Sequence, residues 1–164
     1  MHVKPPIAAM IGVILITISP AARATPPDDA CSLLTQSQVS AAVGIPMGTS
    51  VPIGANLPGR PAPTFSKTCG WNEAGSTSPT AKRVVLAIIT LQSFATGKIP
   101  FQGITKTPVN GVGDDAYYIT TPGLGTGLNV KKAGSALQVR VYGFPVDEIK
   151  SMEKTLAENA LAKM

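Results

Sequence analysis

Two runs of alternating apolar and polar residues constrain the fold of this chain more than any other feature. The first run spans Gly127 to Ala133 and the second spans Ala136 to Tyr142, with Gly134-Ser135 between them. A period of two is typical of strands with one buried face, and glycine at the first of two loop positions is typical of a type II′ turn. The pattern therefore predicts a β-hairpin in which Val130 faces Val139.

The two faces of this predicted hairpin differ in polarity. The same register pairs Leu128 with Val141 on the face that we expect to be core. The opposite face carries only polar side chains, which are Asn129, Lys131, Gln138 and Arg140. We expect that second face to be in contact with solvent.

Sequence patterns typical of helices occur before and after the predicted strands in the chain. Thr35-Gln36-Ser37-Gln38 is a capping box, which predicts a short helix from Gln36 to Val43 that ends at Gly44. Pro145 opens a second predicted helix that runs to about Ala162. Its apolar stripe consists of Val146, Ile149, Met152, Leu156 and Ala160, and we expect this stripe to pack across the sheet.

Further strands are predicted in the middle of the chain. Lys67 to Glu73 alternates in polarity, and Arg83 to Gln92 is apolar on both faces and rich in β-branched residues. The second segment favours a strand covered on both sides over its alternative, a buried helix. Ile45 to Ser66 contains five prolines, which predicts a loop with at most a short edge strand near Thr49 to Ile53.

These elements together predict the fold class. It is α+β, with an antiparallel sheet of about five or six strands. A short N-terminal helix and an amphipathic C-terminal helix are expected to pack on that sheet.

The first 24 residues are predicted to be a secretory signal peptide. Ile7 to Ile18 is apolar, and Ala22-Arg23-Ala24 fits the small-x-small cleavage pattern. The alternative, an uncleaved anchor, needs about 20 apolar residues, and Ser19-Pro20 interrupts this run. We therefore expect a signal peptide over residues 1–24, a flexible tether over 25–30 and one domain over 31–164. The predicted location is the periplasm or the exterior, after cleavage near Ala24.

The chain has only two cysteines, Cys31 and Cys69. An even pair in an exported chain favours a disulfide. The alternative is a reactive thiol, which has no imidazole to activate it, although a nearby lysine could do so. The sequence therefore predicts a structural disulfide between the two cysteines.

Histidine and net charge exclude several classes of function. The one histidine, His2, lies in the segment expected to be cleaved, which excludes Ser-His-Asp and Cys-His catalysis and His-ligated metal centres from the mature chain. Loss of Lys4 and Arg23 leaves 12 basic residues against 9 acidic ones, a net charge of +3. This surplus is too small to predict a nucleic-acid partner. No cofactor and no stable membrane insertion of the mature chain is expected.

Asp114 and Asp115 form a weak candidate acid site. Adjacent residues of a strand point to opposite faces, which disfavours joint acid/base catalysis. Calcium binding with Asn110 would provide too few anionic ligands. Asn110-Gly111 is also a two-residue hairpin signal, so we expect the two carboxylates to be part of a turn, with no catalytic residue and no metal ligand among them.

Tyr117 and Tyr118 contribute to a candidate binding patch. Because the two neighbours point to opposite faces of a strand, one ring is expected in the core and the other in solvent. A solvent-exposed tyrosine beside Lys131, Gln138 and Arg140 would be a rigid anchor for a partner.

Three segments together resemble a known group of proteins. They are Ala30 to Thr35, Thr68 to Trp71 and Gly111 to Tyr118, within an exported chain that ends in an amphipathic helix. The chain resembles small exported bacterial proteins of unknown function, akin to the domain of unknown function of actinobacterial lipoproteins. The resemblance implies a PsbP-like α+β fold with no assigned catalytic residue. The lipobox cysteine of the lipoprotein members is absent, so membrane tethering is not implied.

The predicted function is an exported envelope or extracellular binding or accessory module. Its partner would be an unidentified protein or small-molecule ligand of the envelope. One alternative is a histidine-independent carboxylate hydrolase that uses Asp114 or Asp115. The other alternative is a purely structural envelope protein.

Overall fold

The fold is organised by one seven-stranded antiparallel sheet, seen in a computed structural model that describes residues 27–54, 67–78 and 80–164. In chain order the strands are β1 (Val51–Pro52), β2 (Thr68–Asn72), β3 (Arg83–Ile89), β4 (Thr105–Val109), β5 (Asp115–Thr121), β6 (Gly125–Lys132) and β7 (Ser135–Tyr142). Their order across the sheet is β1-β2-β3-β7-β6-β5-β4. The predicted α+β class is confirmed, and the sheet has more strands than the five or six expected.

Three helices and one 3₁₀ turn accompany the sheet. The 3₁₀ turn is Ala30–Ser32, and the helices are α1 (Gln36–Val43), α2 (Leu91–Gly97) and α3 (Val146–Leu161). The capping box of α1 is present, and Gly44 ends the helix at φ 72°, as predicted. The predicted signal peptide, residues 25–26 of the tether and residues 55–66 of the long loop lie outside the described residues.

The predicted strand from Arg83 to Gln92 is too long at its C-terminal end. It stops at Ile89, because Thr90 takes an extended conformation and its side chain accepts a hydrogen bond from the Ser93 amide. That bond caps α2, which takes Leu91 and Gln92 from the end of the predicted strand.

The two faces of the sheet are covered unequally. The face that we call the core face packs against α1, α3 and the 3₁₀ turn, and it includes Cys69, Trp71, Val84, Leu86, Leu128, Val130, Leu137, Val139 and Val141. The opposite face, which we call the α2 face, has a small cluster around Phe94 of α2, with Tyr117 and Ala136. Most of the hydrophobic core therefore lies on one side of the sheet.

Helix α3 buries a stripe that differs from the predicted one. Ile149, Leu156 and Ala160 are buried as expected, but Val146 is 46% exposed and Met152 is only partly buried. Val146 begins the helix, one turn before the first buried position. Met152 lies at the edge of the buried stripe. Glu153, which is fully buried, continues that stripe in its place.

The β6–β7 hairpin forms with a different register from the predicted one. Lys132 pairs with Ser135, so Ala133 and Gly134 are the loop residues, and both have positive φ (49° and 84°), as a type I′ turn requires. Val130 therefore pairs with Leu137, and the predicted partner Val139 is wrong. The predicted pairing of Leu128 with Val141 is wrong for the same reason.

This register change leaves the faces of the hairpin intact. Each partner moves by two residues, so Leu128, Val139 and Val141 remain on the core face. Asp114 explains the choice of turn, because its Oδ2 accepts a hydrogen bond of 2.8 Å from the Ala133 amide.

The β6–β7 ladder ends before either strand does. Its last pair is Leu128 with Val139. Beyond it, residues 125–127 pair only with β5, and residues 140–142 pair only with β3. We call this opening in the sheet the β6–β7 gap.

The predicted two-residue hairpin at Asn110-Gly111 is wrong. Val109 pairs with Ala116, so the connection between β4 and β5 is longer. The extra length lets Val112, which is 2% exposed, enter the core. Gly111 and Gly113 take positive φ on either side of it.

The predicted disulfide between Cys31 and Cys69 is confirmed. The Sγ atoms are 2.01 Å apart, and the bond joins the 3₁₀ turn to β2 inside the core. Within the three described ranges there is no free cysteine. None of the helices in those ranges is long and apolar enough to cross a bilayer.

Candidate functional site

Asp114 and Asp115 make separate contacts with different parts of the structure. The Asp114 carboxylate accepts from the Ala133 amide, and the Asp114 amide donates to the Lys131 carbonyl oxygen at 2.8 Å. Asp115 instead forms an ion pair with Lys98. Among the residues that the structure describes, no group of three His, Cys, Asp or Glu side chains is placed to hold a metal ion. The two carboxylates therefore do not converge on a common substrate position.

Both tyrosines of the candidate patch are buried, so the expected solvent-exposed ring is absent from this pair. Tyr117 is 3% exposed, and its hydroxyl donates to the Phe94 carbonyl oxygen at 2.7 Å. Tyr118 is 9% exposed, and its hydroxyl donates to the Lys150 carbonyl oxygen at 2.6 Å. The rings do lie on opposite faces, but α2 covers one and α3 covers the other. Each tyrosine ties a helix to β5.

Burial extends the pH range over which both phenols stay protonated. It raises the pKa of Tyr118 to about 12, with a smaller contribution from the charge of Glu153. It also raises the pKa of Tyr117, with Asp115 adding to the effect. Both hydroxyls therefore stay hydrogen-bond donors to the helix carbonyls at neutral pH.

The polar residues of the candidate patch are only partly exposed. Lys131, Gln138 and Arg140 lie on the α2 face and are all half-buried, so the fully wet face expected from the sequence is wrong. Gln138 Nε2 donates to Asn129 Oδ1 at 2.9 Å, and Asn129 is 2% exposed. Lys131 lies four residues along β6 from the residue opposite Arg140, a separation of about 13 Å.

A polar cavity lies at the end of the sheet where β2, β3 and β7 meet. Its volume is about 560 Å³. Its lining includes Asn72, the hydroxyl residues Ser76, Thr77, Ser78 and Thr80, and the pair Arg83 and Tyr142. This lining combines hydrogen-bonding groups and one cation with apolar surface.

Arg83 is the charged group of this cavity. Its guanidinium carbon lies 4.8 Å from the centroid of the Tyr142 ring, across the β3–β7 pairing. No carboxylate in the described part of the chain forms an ion pair with it. Stacking on a ring holds a guanidinium in place while its N–H groups, which lie in the guanidinium plane, can still bind an anion.

A second stacked cation borders the cavity at Gly143. Lys82 Nζ lies 4.7 Å from the centroid of the Phe144 ring. A Cβ on Gly143 would come within 3.0 Å of the Lys82 side chain, and Gly143 has φ 87°. Glycine at this position therefore allows β7 to turn close against Lys82.

Sequence reasoning does not find Arg83 and Tyr142. Neither residue belongs to a motif. They meet because β7 pairs with β3, although β4, β5 and β6 lie between these two strands in the chain. A strand that begins with arginine is a weak signal, because strand ends are commonly charged and solvated.

Glu153 is the second residue that sequence reasoning misses. It is fully buried on α3, and its Oε1 accepts a hydrogen bond of 3.2 Å from the Val141 amide. Burial raises its pKa to about 8, although that hydrogen bond and the charges of Arg140 and Lys150 oppose the rise. The carboxyl is therefore protonated at neutral pH. A signal was present, since Glu153 follows Ile149 by four residues on the apolar stripe.

No protein-family model, curated protein or solved structure matches this chain. The resemblance to the actinobacterial lipoprotein domain stays a prediction. Inferences about function rest on the geometry of the chain itself.

Proposed function

We propose that this chain is an exported envelope or extracellular binding module whose cavity takes a ligand with a carboxylate or phosphate group. One observation carries the proposal. Arg83 is stacked on Tyr142 beside a polar cavity, and no carboxylate of the described chain neutralises it.

The chemistry of the lining suits such a ligand. A guanidinium binds carboxylates and phosphates through two parallel N–H donors, which gives both affinity and orientation. Hydroxyls of the loop that precedes β3 and the amide of Asn72 can bind the remaining polar groups. The cavity volume of about 560 Å³ is within the range typical of small-molecule sites.

The disulfide supports an exported setting. Disulfides persist in the periplasm and outside the cell and are rare in a reducing cytosol. The bond between Cys31 and Cys69 also lies in the core, where it stabilises the domain that carries the cavity.

Binding is favoured over the hydrolase alternative by the positions of the acids. Asp114 contacts a turn and Asp115 contacts Lys98, so no acid pair faces the cavity. Glu153 is enclosed between α3 and β7, where a substrate has no access to it.

The test is a titration of the purified protein with inorganic phosphate and, separately, with citrate, followed by NMR. We expect shifts of the Arg83, Tyr142 and Gly143 amides, and about tenfold weaker binding in Arg83→Gln, because one charged hydrogen-bonding partner is lost. Arg83→Lys should recover only part of the affinity, since an ammonium lacks the paired donors. Lys154→Gln is the matched control, because it removes a charge from the exposed side of α3.

Two results would contradict the proposal. One is binding that Arg83→Gln leaves unchanged. The other is binding of an uncharged disaccharide as tightly as phosphate or citrate, which would assign the cavity to hydroxyl recognition. The phosphate and citrate arms also separate the two possible acid groups.

A further inference from the structure

At the β6–β7 gap, α3 contacts the part of the β7 backbone that does not pair with β6. Val141 pairs with β3 on one side, and on the other side its amide donates to Glu153 Oε1 instead of to β6. A carboxyl group from a helix thus takes the place of a strand at this end of β7.

Three buried polar atoms belong to one cross-strand row of the core face or to the helix residue that contacts it. Trp71 pairs with Val84, Val84 pairs with Val141, and continuing the β6–β7 register past its last pair places Thr126 opposite Val141. Neighbouring positions in such a row are about 5 Å apart. Trp71 Nε1, Thr126 Oγ1 and Glu153 Oε2 are buried here without a hydrogen-bond partner among the described residues.

This arrangement favours a neutral carboxyl over an ionised one. An ionised Glu153 would place a negative charge in the core with a single hydrogen-bond donor, the Val141 amide. A protonated Glu153 carries no charge and gains an O–H donor. That O–H has no acceptor within hydrogen-bond distance among the described residues, so what the neutral form gains is the absence of a buried charge.

We propose that Glu153 is a proton-operated latch that holds α3 against the unpaired end of β7. With its proton, Glu153 joins Val141 to the helix. An ionised Glu153 is a stronger acceptor for the Val141 amide, but an unsolvated charge in the core costs more than that bond gains. Loss of the proton therefore drives the carboxylate toward solvent and separates residues 140–142 from α3. Because Tyr142 carries Arg83, release also disturbs the cavity; this last step, unlike the latch itself, rests on the proposed function.

Few charged groups lie near the Glu153 carboxyl group, where they would affect its ionisation. Arg140 approaches from β7, but it lies on the other side of the sheet, over Gly127. Lys150 is one turn earlier on α3, with its ammonium 5.8 Å from the Tyr118 ring centroid. From β5 the only ionisable neighbour is Tyr118, whose hydroxyl is engaged by the Lys150 carbonyl oxygen. Helix α1 and strand β2 contain no ionisable residue.

Hydrogen exchange tests the latch without a ligand. After correction for intrinsic rates, we expect the amides of residues 140–142 and of α3 to lose protection about tenfold between about pH 6.5 and pH 9.5. Glu153→Gln keeps the acceptor and cannot ionise, so its protection should change less than about threefold. The latch is wrong if the wild type loses no protection, or if both proteins lose it equally.

A second measurement covers the case in which Glu153→Gln fails to fold. Infrared difference spectra of the wild type should show a protonated carboxyl band at about pH 6.5 that disappears as the pH rises through about 8. Glu158→Gln, which changes an exposed carboxylate of the same helix, should leave that band in place. Absence of the band at about pH 6.5 would overturn the latch.

Phosphate and citrate titrations at both pH values separate the latch from the ligand site. Weaker binding at the higher pH in the wild type, but not in Glu153→Gln, supports the coupling. An identical pH dependence in both proteins overturns it and leaves the ligand site standing. A pH-dependent loss of protection with no binding of either probe supports the latch and overturns the proposed function.

Discussion

At the β6–β7 gap, the Arg140 side chain fills the space beside Gly127 that a side chain on residue 127 would need. A Cβ added to Gly127 would lie 2.9 Å from both Cγ and Nε of Arg140. The arginine side chain therefore lies across β6 only because residue 127 has no side chain. Arg140 Nε is buried there without a hydrogen-bond partner among the described residues.

Gly127→Ala should destabilise the protein by about 1–3 kcal/mol, because the new methyl group displaces Arg140 from its packed position. Urea denaturation of the single variants and of Gly127→Ala/Arg140→Ala measures the effect. The double variant should show a favourable coupling, since removing the arginine side chain makes room for the methyl group. Strictly additive changes would contradict the direct contact.

Ala133→Gly should stabilise the protein by up to about 1 kcal/mol. Ala133 is the only non-glycine residue with positive φ in the described ranges, and glycine takes that conformation without steric cost. Thermal and urea denaturation midpoints measure the gain. Ala95→Gly on α2 is the control, and it should destabilise by about 1 kcal/mol because it lies in a helix. A loss of stability in Ala133→Gly would contradict the observed turn.

Glu153 should make the free energy of unfolding depend on pH. Its folded-state pKa of about 8 lies above the ordinary value of 4.5, so the folded protein holds a proton that the unfolded chain releases between these values. Stability should therefore be full below about pH 4.5 and should fall by several kcal/mol as the pH rises to about 8. Urea denaturation across this range should show the slope in the wild type and a nearly flat profile in Glu153→Gln. Equal slopes would refute the assignment.

The disulfide should contribute about 4 kcal/mol to stability, because it closes a loop with a sequence separation of 38 residues. Denaturation of Cys31→Ser/Cys69→Ser against the oxidised wild type measures this loss. Thiol titration of the unfolded wild type should detect no free thiol. Two free thiols per chain in the native preparation would mean that the bond does not form.

Tyr117→Phe and Tyr118→Phe should each destabilise by about 1–2 kcal/mol, since each leaves a buried or partly buried carbonyl without its donor. The local effects should differ. Hydrogen exchange should rise mainly in α2 for Tyr117→Phe and mainly in α3 for Tyr118→Phe. The reverse pattern, or the same pattern in both variants, would contradict the two contacts.

Local sequence signals predict the elements that local interactions decide. The α1 bounds follow from Thr35, Gln38 and Gly44, which all lie within that helix or next to it. The disulfide follows from compartment and cysteine count. The alternating runs give the correct faces of β6 and β7, because side-chain direction depends only on position along a strand.

The structural features that the sequence does not predict depend on contacts between residues that are far apart in the chain. The register of the hairpin depends on Asp114, which holds the Ala133 amide from another turn. The burial of Tyr117 depends on α2, whose Phe94 carbonyl oxygen accepts the hydrogen bond from the Tyr117 hydroxyl. The cavity and the Glu153 contact both require β7 to lie beside β3, and no local pattern specifies that neighbour.

The position of β7 has a consequence for the order in which the domain assembles. It is the last of the described strands, yet it lies between β3 and β6 and is the only one of them that joins the two halves of the sheet. As an exported chain emerges from the membrane, β1 to β3 and β4 to β6 precede residues 135–142, the strand through which the two groups join. Cys31 and Cys69 both belong to the part that emerges early. Their covalent bond can therefore hold the N-terminal half together while it waits for its missing neighbour.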